Sequence, residues 1–320
     1  MRRTRWDELA APYDRLAAAL GTGEHRAVLE RLVVRCGWGA RSTREPLLPS
    51  GVRHGVPWGL SVAMSPGAPP ELRVFLEAQC EPASAAGYWA AGERVLDGLA
   101  DGARVTALGR GERLWHAVGF AAGRAPWFHA YVCVPTDPAL AWAALARGGH
   151  AGERLRQALG PRARVTIVSA DVEAGPAART KLYAILPDAR ADEVPGMVGG
   201  PGLTPAGSGA GGRRGSTGGG AAFATAMTGR EDARLGWLVA YGFTAGAADP
   251  TSVALHYGAA VHGDAGYADR LAAYARALEL DAYPRAAAAL GSPRHHFASW
   301  QRTATGAPRL TVYFLPEVAR

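Results

Sequence analysis

Five short strand-like segments with a common pattern recur along the chain, and four of them carry a tyrosine. They are LRVFLE at 72–77, HAYVCVP at 129–135, TKLYAILP at 180–187, ALHYGAA at 254–260 and LTVYFLP at 310–316. The tyrosines are Tyr131, Tyr183, Tyr257 and Tyr313. A sequence pattern that recurs in this way along a chain predicts a repeat architecture.

The faces of these segments suggest what the repeats enclose. Side chains alternate along a strand, so residues two apart share a face. In four segments one face is basic, polar and aromatic, namely Arg73/Phe75/Glu77, His129/Tyr131/Cys133, Arg179/Lys181/Tyr183 and Arg309/Thr311/Tyr313, and the other is mostly apolar. The fourth segment in chain order is weaker, because Tyr257 shares its face with Leu255. For any single strand, the polar face is explained by exposure to solvent. Its recurrence in several strands favours polar faces that line a common interior. A barrel of about ten strands is wide enough to enclose a ligand.

The regions between these segments complete the repeat. Helical patterns precede pairs of strand patterns, which predicts an α+β fold: a ten-stranded antiparallel barrel built from five αα-ββ units, with helices outside and a polar lumen. Helices are predicted at 4–20, 25–34, 84–99, 138–159, 266–280 and 284–290. Strands are predicted at 59–64, 71–79, 113–121, 127–135, 164–172, 179–186, 234–244, 251–261, 296–303 and 309–315. The helix of the fourth unit has no clear position.

We predict a single domain over residues 1–320, interrupted by a Gly-rich flexible insertion at 189–230. This stretch contains GSGAGGRRGSTGGG, and a mobile lid over a site is one interpretation. A phosphate-binding glycine loop is another, but the sequence lacks the strand–loop–helix setting that a P-loop requires.

Charge and cysteine content narrow the possible partners. The net charge is +7, yet no Lys/Arg cluster is interleaved with aromatic residues, so nucleic acid is not an expected partner and a small anionic molecule fits better. The three cysteines form no CxxC pair, which argues against a zinc site and favours the cytoplasm. The sequence contains no run of 18 apolar residues, so a membrane is not an expected partner. A monomer or a homodimer fits equally well.

The strand motifs resemble those of aromatic prenyltransferases of the ABBA (PT-barrel) type, in particular the dimethylallyltryptophan-synthase-like branch. RTKLY at 179–183 matches that branch's Arg-x-Lys-x-Tyr strand in full, and ELRVFLE at 71–77 is similar to its first diphosphate-binding strand. HAY at 129–131 stands where the family has Lys-x-Tyr, LHY at 255–257 where it often has Gln-x-Tyr, and LTVYFLP at 310–316 where its terminal strand lies.

The resemblance implies roles for two sets of residues. The diphosphate of a prenyl diphosphate would be bound by Arg73, His129, Arg179, Lys181 and Arg309 through charge-assisted hydrogen bonds. The allylic cation left by ionisation would be shielded by Tyr131, Tyr183, Tyr257 and Tyr313 through their ring faces. The sequence has no DDxxD motif, so no metal site is expected. We expect no cofactor and no requirement for Mg²⁺, with the prenyl diphosphate acting as co-substrate.

Departures from the family pattern leave the acceptor open. His129 replaces a lysine, Leu255 replaces a polar residue, and Gly59 stands where tryptophan-type members have the glutamate that holds the indole N–H. Glu77, on the face of Arg73, and His116 are the candidate catalytic bases; an ion pair and a buried interior histidine are their structural alternatives. The candidate acceptor pocket comprises Trp58, Gly59, Trp115, Trp237, Leu255 and Trp300.

The sequence therefore predicts a metal-independent aromatic prenyltransferase. It would transfer a dimethylallyl or longer prenyl group to an aromatic acceptor, with an indole or tryptophan derivative as the leading candidate and a phenol as the next. The alternatives are a non-catalytic barrel that binds an anionic or aromatic small molecule, and an inactive member of the family.

Overall fold

The structure is a computed structural model. It describes residues 5–31, 58–76, 113–121, 127–133, 138–147, 150, 152–172, 179–190, 193, 219–262, 265–291, 294–303 and 308–315. The side chains of 113–133, and those of several residues near the ends of other elements, are outside this description.

Antiparallel strands dominate the described residues. They are β1 (Trp58–Met64), β2 (Glu71–Leu76), β3 (Arg113–Ala121), β4 (Trp127–Cys133), β5 (Arg164–Val172), β6 (Arg179–Arg190), β7 (Arg234–Thr244), β8 (Ser252–Tyr257), β9 (Arg294–Thr303) and β10 (Arg309–Leu315). Each strand pairs with the next along the chain, and β1 also pairs with β10, so the hydrogen-bonded order closes into a barrel. Closure leaves none of these strands as an exposed edge.

The helices alternate with pairs of strands. They are α1 (Arg5–Leu20), α2 (Arg26–Glu30), α3 (Pro138–Arg147), α4 (Glu153–Leu159), α5 (Gly220–Thr228), α6 (Ala259–His262), α7 (Tyr267–Ala277) and α8 (Ala282–Leu290), with a 3₁₀ turn at Gly23–His25. The predicted α+β fold with an antiparallel sheet is confirmed. The five-unit repeat stays a prediction, because the helix expected at 84–99 lies outside the described residues.

The main hydrophobic core lies between the strands and the helices. The apolar faces of the strands whose side chains are described contribute to it, as shown by Val62, Leu72, Leu182 and Val312, which are all fully buried. A much smaller cluster of Ile167, Tyr183 and Ala240 lies on the other face. The strands therefore bury their apolar side outward against the helices and turn their polar side inward, as the alternation predicted.

Arginine side chains attach helices to one another at their ends. The guanidinium of Arg270 on α7 donates to the carbonyls of Ala226 and Met227, at the C-terminal end of α5, at 3.2 and 2.6 Å. These carbonyls lack partners within their own helix, so a cation from a neighbouring helix satisfies and stabilises them. Arg15 and Arg285 join α1 and α8 in the same way, through the carbonyls of Ala289 and Ala19.

Three predicted elements were wrong in extent. The helix predicted at 138–159 is two helices, and Gly152 at the start of α4 has a φ of +48°, which a glycine adopts without a steric penalty. The strand predicted at 251–261 ends at Tyr257, and α6 follows it. The predicted insertion at 189–230 contains the end of β6 and all of α5, which is the missing helix of the fourth unit.

Candidate active site in the barrel lumen

The position of a residue within its strand determines its place in the lumen. Neighbouring strands are antiparallel, so β2, β4, β6, β8 and β10 run in one direction and begin at one end of the barrel. The first, third and fifth residues of these strands share the inward face. Where the side chains are described, they read Glu71/Arg73 on β2, Arg179/Lys181/Tyr183 on β6, Ser252/Ala254/His256 on β8 and Arg309/Thr311/Tyr313 on β10. The first position is charged on β2, β6 and β10, and the fifth positions whose side chains are described, Tyr183, His256 and Tyr313, are all aromatic.

Four cations define what we call the cationic end: Arg73, Arg179, Lys181 and Arg309. Arg73 and Arg309 both bind the carboxylate of Glu71, Arg73 at 3.2 Å and Arg309 in a short contact. Arg179 and Lys181 lie on β6, which is four strands from both β2 and β10 in the pairing order. The two pairs of cations therefore occupy opposite walls at the same end of the lumen.

The charge of Arg309 persists at neutral pH. Burial lowers the pKa of Arg309 to about 10, and the neighbouring Tyr313 opposes this effect. A pKa of this size keeps the guanidinium protonated at pH 7. With one carboxylate, Glu71, among four cations, the described part of this end has a positive excess suited to a multiply charged anion.

Gly242 of β7 lies beside the side chains of Arg179 and Ser252. A Cβ on Gly242 of β7 would stand 2.3 Å from the Ser252 Oγ and 3.2 Å from the Cδ of Arg179. Real Cβ atoms do not approach other atoms as closely as 2.3 Å, so a side chain at Gly242 would displace the Ser252 hydroxyl and would also crowd the stem of Arg179. The aliphatic part of the Arg179 side chain therefore lies close to the backbone of β7 at Gly242.

The fifth positions form an aromatic belt, which we define as Tyr183, His256, Tyr313 and their neighbour Phe297. The ring centroids of Tyr183 and His256 are 5.9 Å apart, and those of His256 and Tyr313 are 6.5 Å apart. Phe297 packs edge-on against Tyr313 at 6.3 Å. Such a row presents electron-rich ring faces and excludes water, two properties that stabilise a carbocation.

His256 was missed by the sequence analysis. The motif LHY directed attention to Tyr257, one residue further on. The strand predicted at 251–261 would have placed Leu255 in the fifth position, so counting along the sequence did not indicate His256. Burial, and secondly the charge of Lys181, lowers the pKa of His256 to about 3, so its imidazole is neutral.

A cavity of about 360 Å³ opens at the end of the barrel away from the cationic end. Its lining includes Arg164, Ile185, Asp188, Leu238, His256 and Phe297. These are residues from the beginnings of β5, β7 and β9 and from the ends of β6 and β8. The volume falls within the usual range for small-molecule sites, and its apolar walls suit an aromatic ring.

Several polar atoms in the lumen are buried without a hydrogen-bond partner among the described residues. They include the Ser61 Oγ, the Ser169 Oγ and the Nε2 of His256. Ser61 pairs with Arg73 and Tyr313, and Ser169 pairs with Lys181. Since an unsatisfied buried polar atom is costly, such a group of atoms is typical of a site that a polar ligand completes.

Four predicted site residues lie on the outer face instead. Tyr257 stacks on Tyr267 of α7 at 5.5 Å and lies 5.8 Å from Trp237, centroid to centroid. Leu255, Trp237 and Trp300 are at most 3% exposed in the same outer core. The predicted shielding role of Tyr257 and the acceptor-pocket roles of the other three do not fit this placement, because strand alternation turns them toward the helices.

Gly59, in contrast, lies on the inward face of β1, two residues before Ser61. A Cβ there would meet the Phe314 carbonyl oxygen at an ordinary 3.5 Å. Glu77 lies outside the described residues, as do the side chains of Trp58, Trp115, His116, His129 and Tyr131. The roles predicted for these residues stay predictions.

No described helix has the length and apolar character needed to cross a membrane. Within the described part of the chain, His, Cys, Asp and Glu side chains form no group of three that could hold a metal ion.

Comparison of the structure with solved structures identifies the fold as that of aromatic prenyltransferases. No protein-family model matches the chain, and a search of the curated proteins finds no match. The 6-dimethylallyltryptophan synthase from Micromonospora olivasterospora, solved in complex with DMASPP and Trp, superposes with a TM-score of 0.74 at 22% identity, covering 100% of this chain and 99% of that one.

Two further structures support the same assignment of the fold. The 5-dimethylallyltryptophan synthase from Streptomyces coelicolor has a TM-score of 0.73 at 20% identity, covering 99% of both chains. AnaPT from Neosartorya fischeri has a TM-score of 0.67 at 15% identity, covering 96% of this chain and 92% of that one. The resemblance inferred from the strand motifs is thus confirmed for the fold over nearly the whole chain.

Proposed function

We propose that the protein is an aromatic prenyltransferase that transfers a dimethylallyl or longer prenyl group from its diphosphate to an aromatic acceptor. The observation that carries the proposal is the order of side chains along one lumen: four cations at one end, then an aromatic belt, then an apolar cavity. We further propose that the barrel is a PT barrel of ten strands and five αα-ββ units; the pairing order and the neighbouring folds support this interpretation.

The cations would ionise the donor. Arg73, Arg179, Lys181 and Arg309 would bind the diphosphate from opposite walls and stabilise the negative charge that develops as its C–O bond breaks. Glu71 holds Arg73 and Arg309 side by side before the anion binds. Four fixed positive charges can stabilise this leaving group, so we propose that the reaction requires neither Mg²⁺ nor another cofactor.

The aromatic belt would protect the cation. Tyr183 and Tyr313 each lie four residues beyond the arginine that begins their strand, so an allylic group attached to the bound diphosphate would lie between their rings. The ring quadrupole stabilises a positive charge, and the closed wall keeps water away from it. The acceptor's π electrons would then form the new C–C bond.

The acceptor would occupy the cavity beyond the belt. The named neighbours include structures that contain Trp, which makes an indole or tryptophan derivative the leading candidate. Arg164 and Asp188 lie at the cavity and carry opposite charges, as the carboxylate and ammonium groups of an amino acid would need. A phenol is the second candidate, since Gly59 provides no carboxylate to hold an indole N–H.

A turnover assay tests the proposal against a non-catalytic binding barrel. Protein would be incubated in EDTA with dimethylallyl or geranyl diphosphate and a panel of tryptophan, other indoles, tyrosine and phenolic acids, with mass spectrometry of the products. A mass increase of one prenyl unit supports the enzyme and identifies the acceptor class. Diphosphate binding without product for any pair supports the binding barrel, and the absence of both refutes a prenyl diphosphate site.

We propose two small-molecule substrates, the prenyl diphosphate and the aromatic acceptor, as the partners of the protein. We also propose that it acts in the cytoplasm, as a monomer or a homodimer.

A further inference from the structure

We propose that His256 is the proton acceptor of the reaction, with its Nε2 removing the proton from the acceptor carbon after the prenyl group has been attached. This inference rests on the proposed prenyl transfer and assigns a step that the cations and tyrosines do not perform.

The position of His256 suits this role. It lies in the aromatic belt between Tyr183 and Tyr313, and it also lines the cavity proposed for the acceptor. It therefore lies at the boundary between the donor and acceptor spaces, where the new bond would form. A tyrosine in this position would shield the cation equally well, but it would offer no basic lone pair at neutral pH.

The Nε2 atom is available to accept a proton. It is buried, and no described group hydrogen-bonds to it. In the tautomer with the proton on Nδ1, the Nε2 atom carries a lone pair. A buried acceptor without a partner is costly, which indicates that a ligand supplies the partner.

The other described groups near the lumen are poorer candidates. Glu71 is engaged by Arg73 and Arg309 at the cationic end, away from the cavity. Asp188 is at the cavity mouth, largely exposed and paired with Arg234 at 3.3 Å. His262 also lines the cavity, but it lies on α6 and packs against Tyr257, 5.1 Å between centroids, in the outer core.

The proton step balances as follows. The C–O bond of the donor breaks with its electron pair leaving on the diphosphate, and a π pair of the acceptor forms the C–C bond to the allylic carbon. The resulting arenium cation loses a proton from the substituted carbon to Nε2. The C–H pair restores the aromatic ring, and the imidazole becomes an imidazolium that releases its proton when the products leave.

The surrounding charges favour this sequence once the donor is bound. The groups facing His256 are Lys181 and Tyr183 of β6 and Tyr313 of β10, with Arg164, Asp188 and His262 around the cavity. Lys181 disfavours the imidazolium in the free protein. A diphosphate on Lys181 compensates that charge, so the imidazole becomes more basic when a donor is present. An arenium cation is a much stronger acid than an imidazolium, so even a weakly basic imidazole can deprotonate it.

The test compares His256→Gln with the wild-type chain, using dimethylallyl diphosphate and the acceptor identified in the turnover assay. Glutamine keeps the approximate size and polarity of the site but cannot accept a proton. We expect kcat to fall by about 10²-fold or more, the usual contribution of a general base. The Kd for inorganic pyrophosphate should stay within about twofold, because the cationic end is intact.

An isotope measurement separates a chemical role from a structural one. With a ring-deuterated acceptor, loss of the base makes deprotonation slower, so the deuterium isotope effect on product formation should be larger in His256→Gln than in the wild type. His25→Gln, in the 3₁₀ turn after α1, controls for the substitution itself and should behave as the wild type. His262→Gln, in the same cavity, should show no increase in the isotope effect.

Each contrary result has a separate meaning. A wild-type chain that gives no product with any acceptor refutes the proposed function, and the proton transfer with it. A wild type that turns over, with His256→Gln within threefold of it, refutes the proton role alone. A slow His256→Gln without a larger isotope effect, or a larger effect in His262→Gln, also overturns the assignment.

Discussion

Replacement of Lys181 by alanine is the sharpest test of the cationic end. Lys181 is the only lysine in the chain, lies in the third position of β6, and faces the lumen rather than the outer core. Its removal takes one of four described cations from the leaving diphosphate without opening a cavity among the helices. The fold should survive, with a change in unfolding free energy of no more than about 1 kcal/mol, typical of positions outside the core.

The loss of activity follows from the charge. Two unit charges in contact at 4 Å interact by about 4 kcal/mol at an effective dielectric constant of 20. The Lys181 side chain is partly exposed and three arginines remain, so we take about 3 to 4 kcal/mol as the loss of transition-state stabilisation. At 1.36 kcal/mol per factor of ten, kcat should fall by about 10² to 10³.

The assay is steady-state turnover of dimethylallyl diphosphate with the identified acceptor, alongside urea denaturation. Lys181→Arg keeps a cation and should lose less activity than Lys181→Ala. Arg302→Ala removes an exposed cation from β9 and should leave kcat unchanged. If Lys181→Ala turned over within threefold of the wild type while remaining folded, the assignment of this end to the diphosphate would be wrong.

Three further predictions concern single residues of the barrel. Gly242→Ala should displace Arg179 and raise the Kd for pyrophosphate by about tenfold, the equivalent of about 1.4 kcal/mol, measured by calorimetry; unchanged binding would contradict the packing argument. Tyr257→Ala should lower the unfolding free energy by about 3 to 5 kcal/mol, whereas Tyr257→Leu, which removes the ring but keeps an apolar side chain, should keep kcat within about twofold; strong loss of activity in a folded Tyr257→Leu would restore its shielding role. The pKa of His256 is about 3 in the folded protein, so the unfolded chain binds more protons between pH 6.5 and about 3. The unfolding free energy should therefore fall as the pH falls through this window. Measured by urea denaturation, the decrease in unfolding free energy from pH 7 to pH 5 should be smaller in His256→Gln than in the wild type, by about 1 to 2 kcal/mol. Equal pH dependence in both proteins would show that the imidazole is not buried in its neutral form.

Much of the fold was predictable because strand alternation and turn composition are local signals. β3, β5, β7 and β10 begin and end where the sequence predicted, since each is bounded by turn residues and carries a clear two-residue period. The α5 helix was not predictable, because Gly220 follows directly on a glycine-rich stretch and the helix is stabilised by partners distant in sequence, such as Arg270.

The inward placement of side chains was predictable where a strand carries several charged residues, and it was wrong on β8, where only the register shows which residues face the lumen. Arg179, Lys181 and Tyr183 define their own inward face. β8 has no charged residue, so the motif alone could not say whether His256 or Tyr257 points inward; that depends on its register with β7 and β9. The tryptophans were ambiguous for the same reason, since a large aromatic residue suits a core as well as a pocket.

The five equivalent strands also constrain how such a protein can diversify. A one-residue insertion or deletion within any of them would turn its inward side chains toward the helices and its apolar ones into the lumen. New substrate preferences are therefore expected from substitutions at inward positions, while length changes are expected in the connections between strands. For protein engineering, β8 is a natural place to begin, because its first two inward positions carry the small residues Ser252 and Ala254.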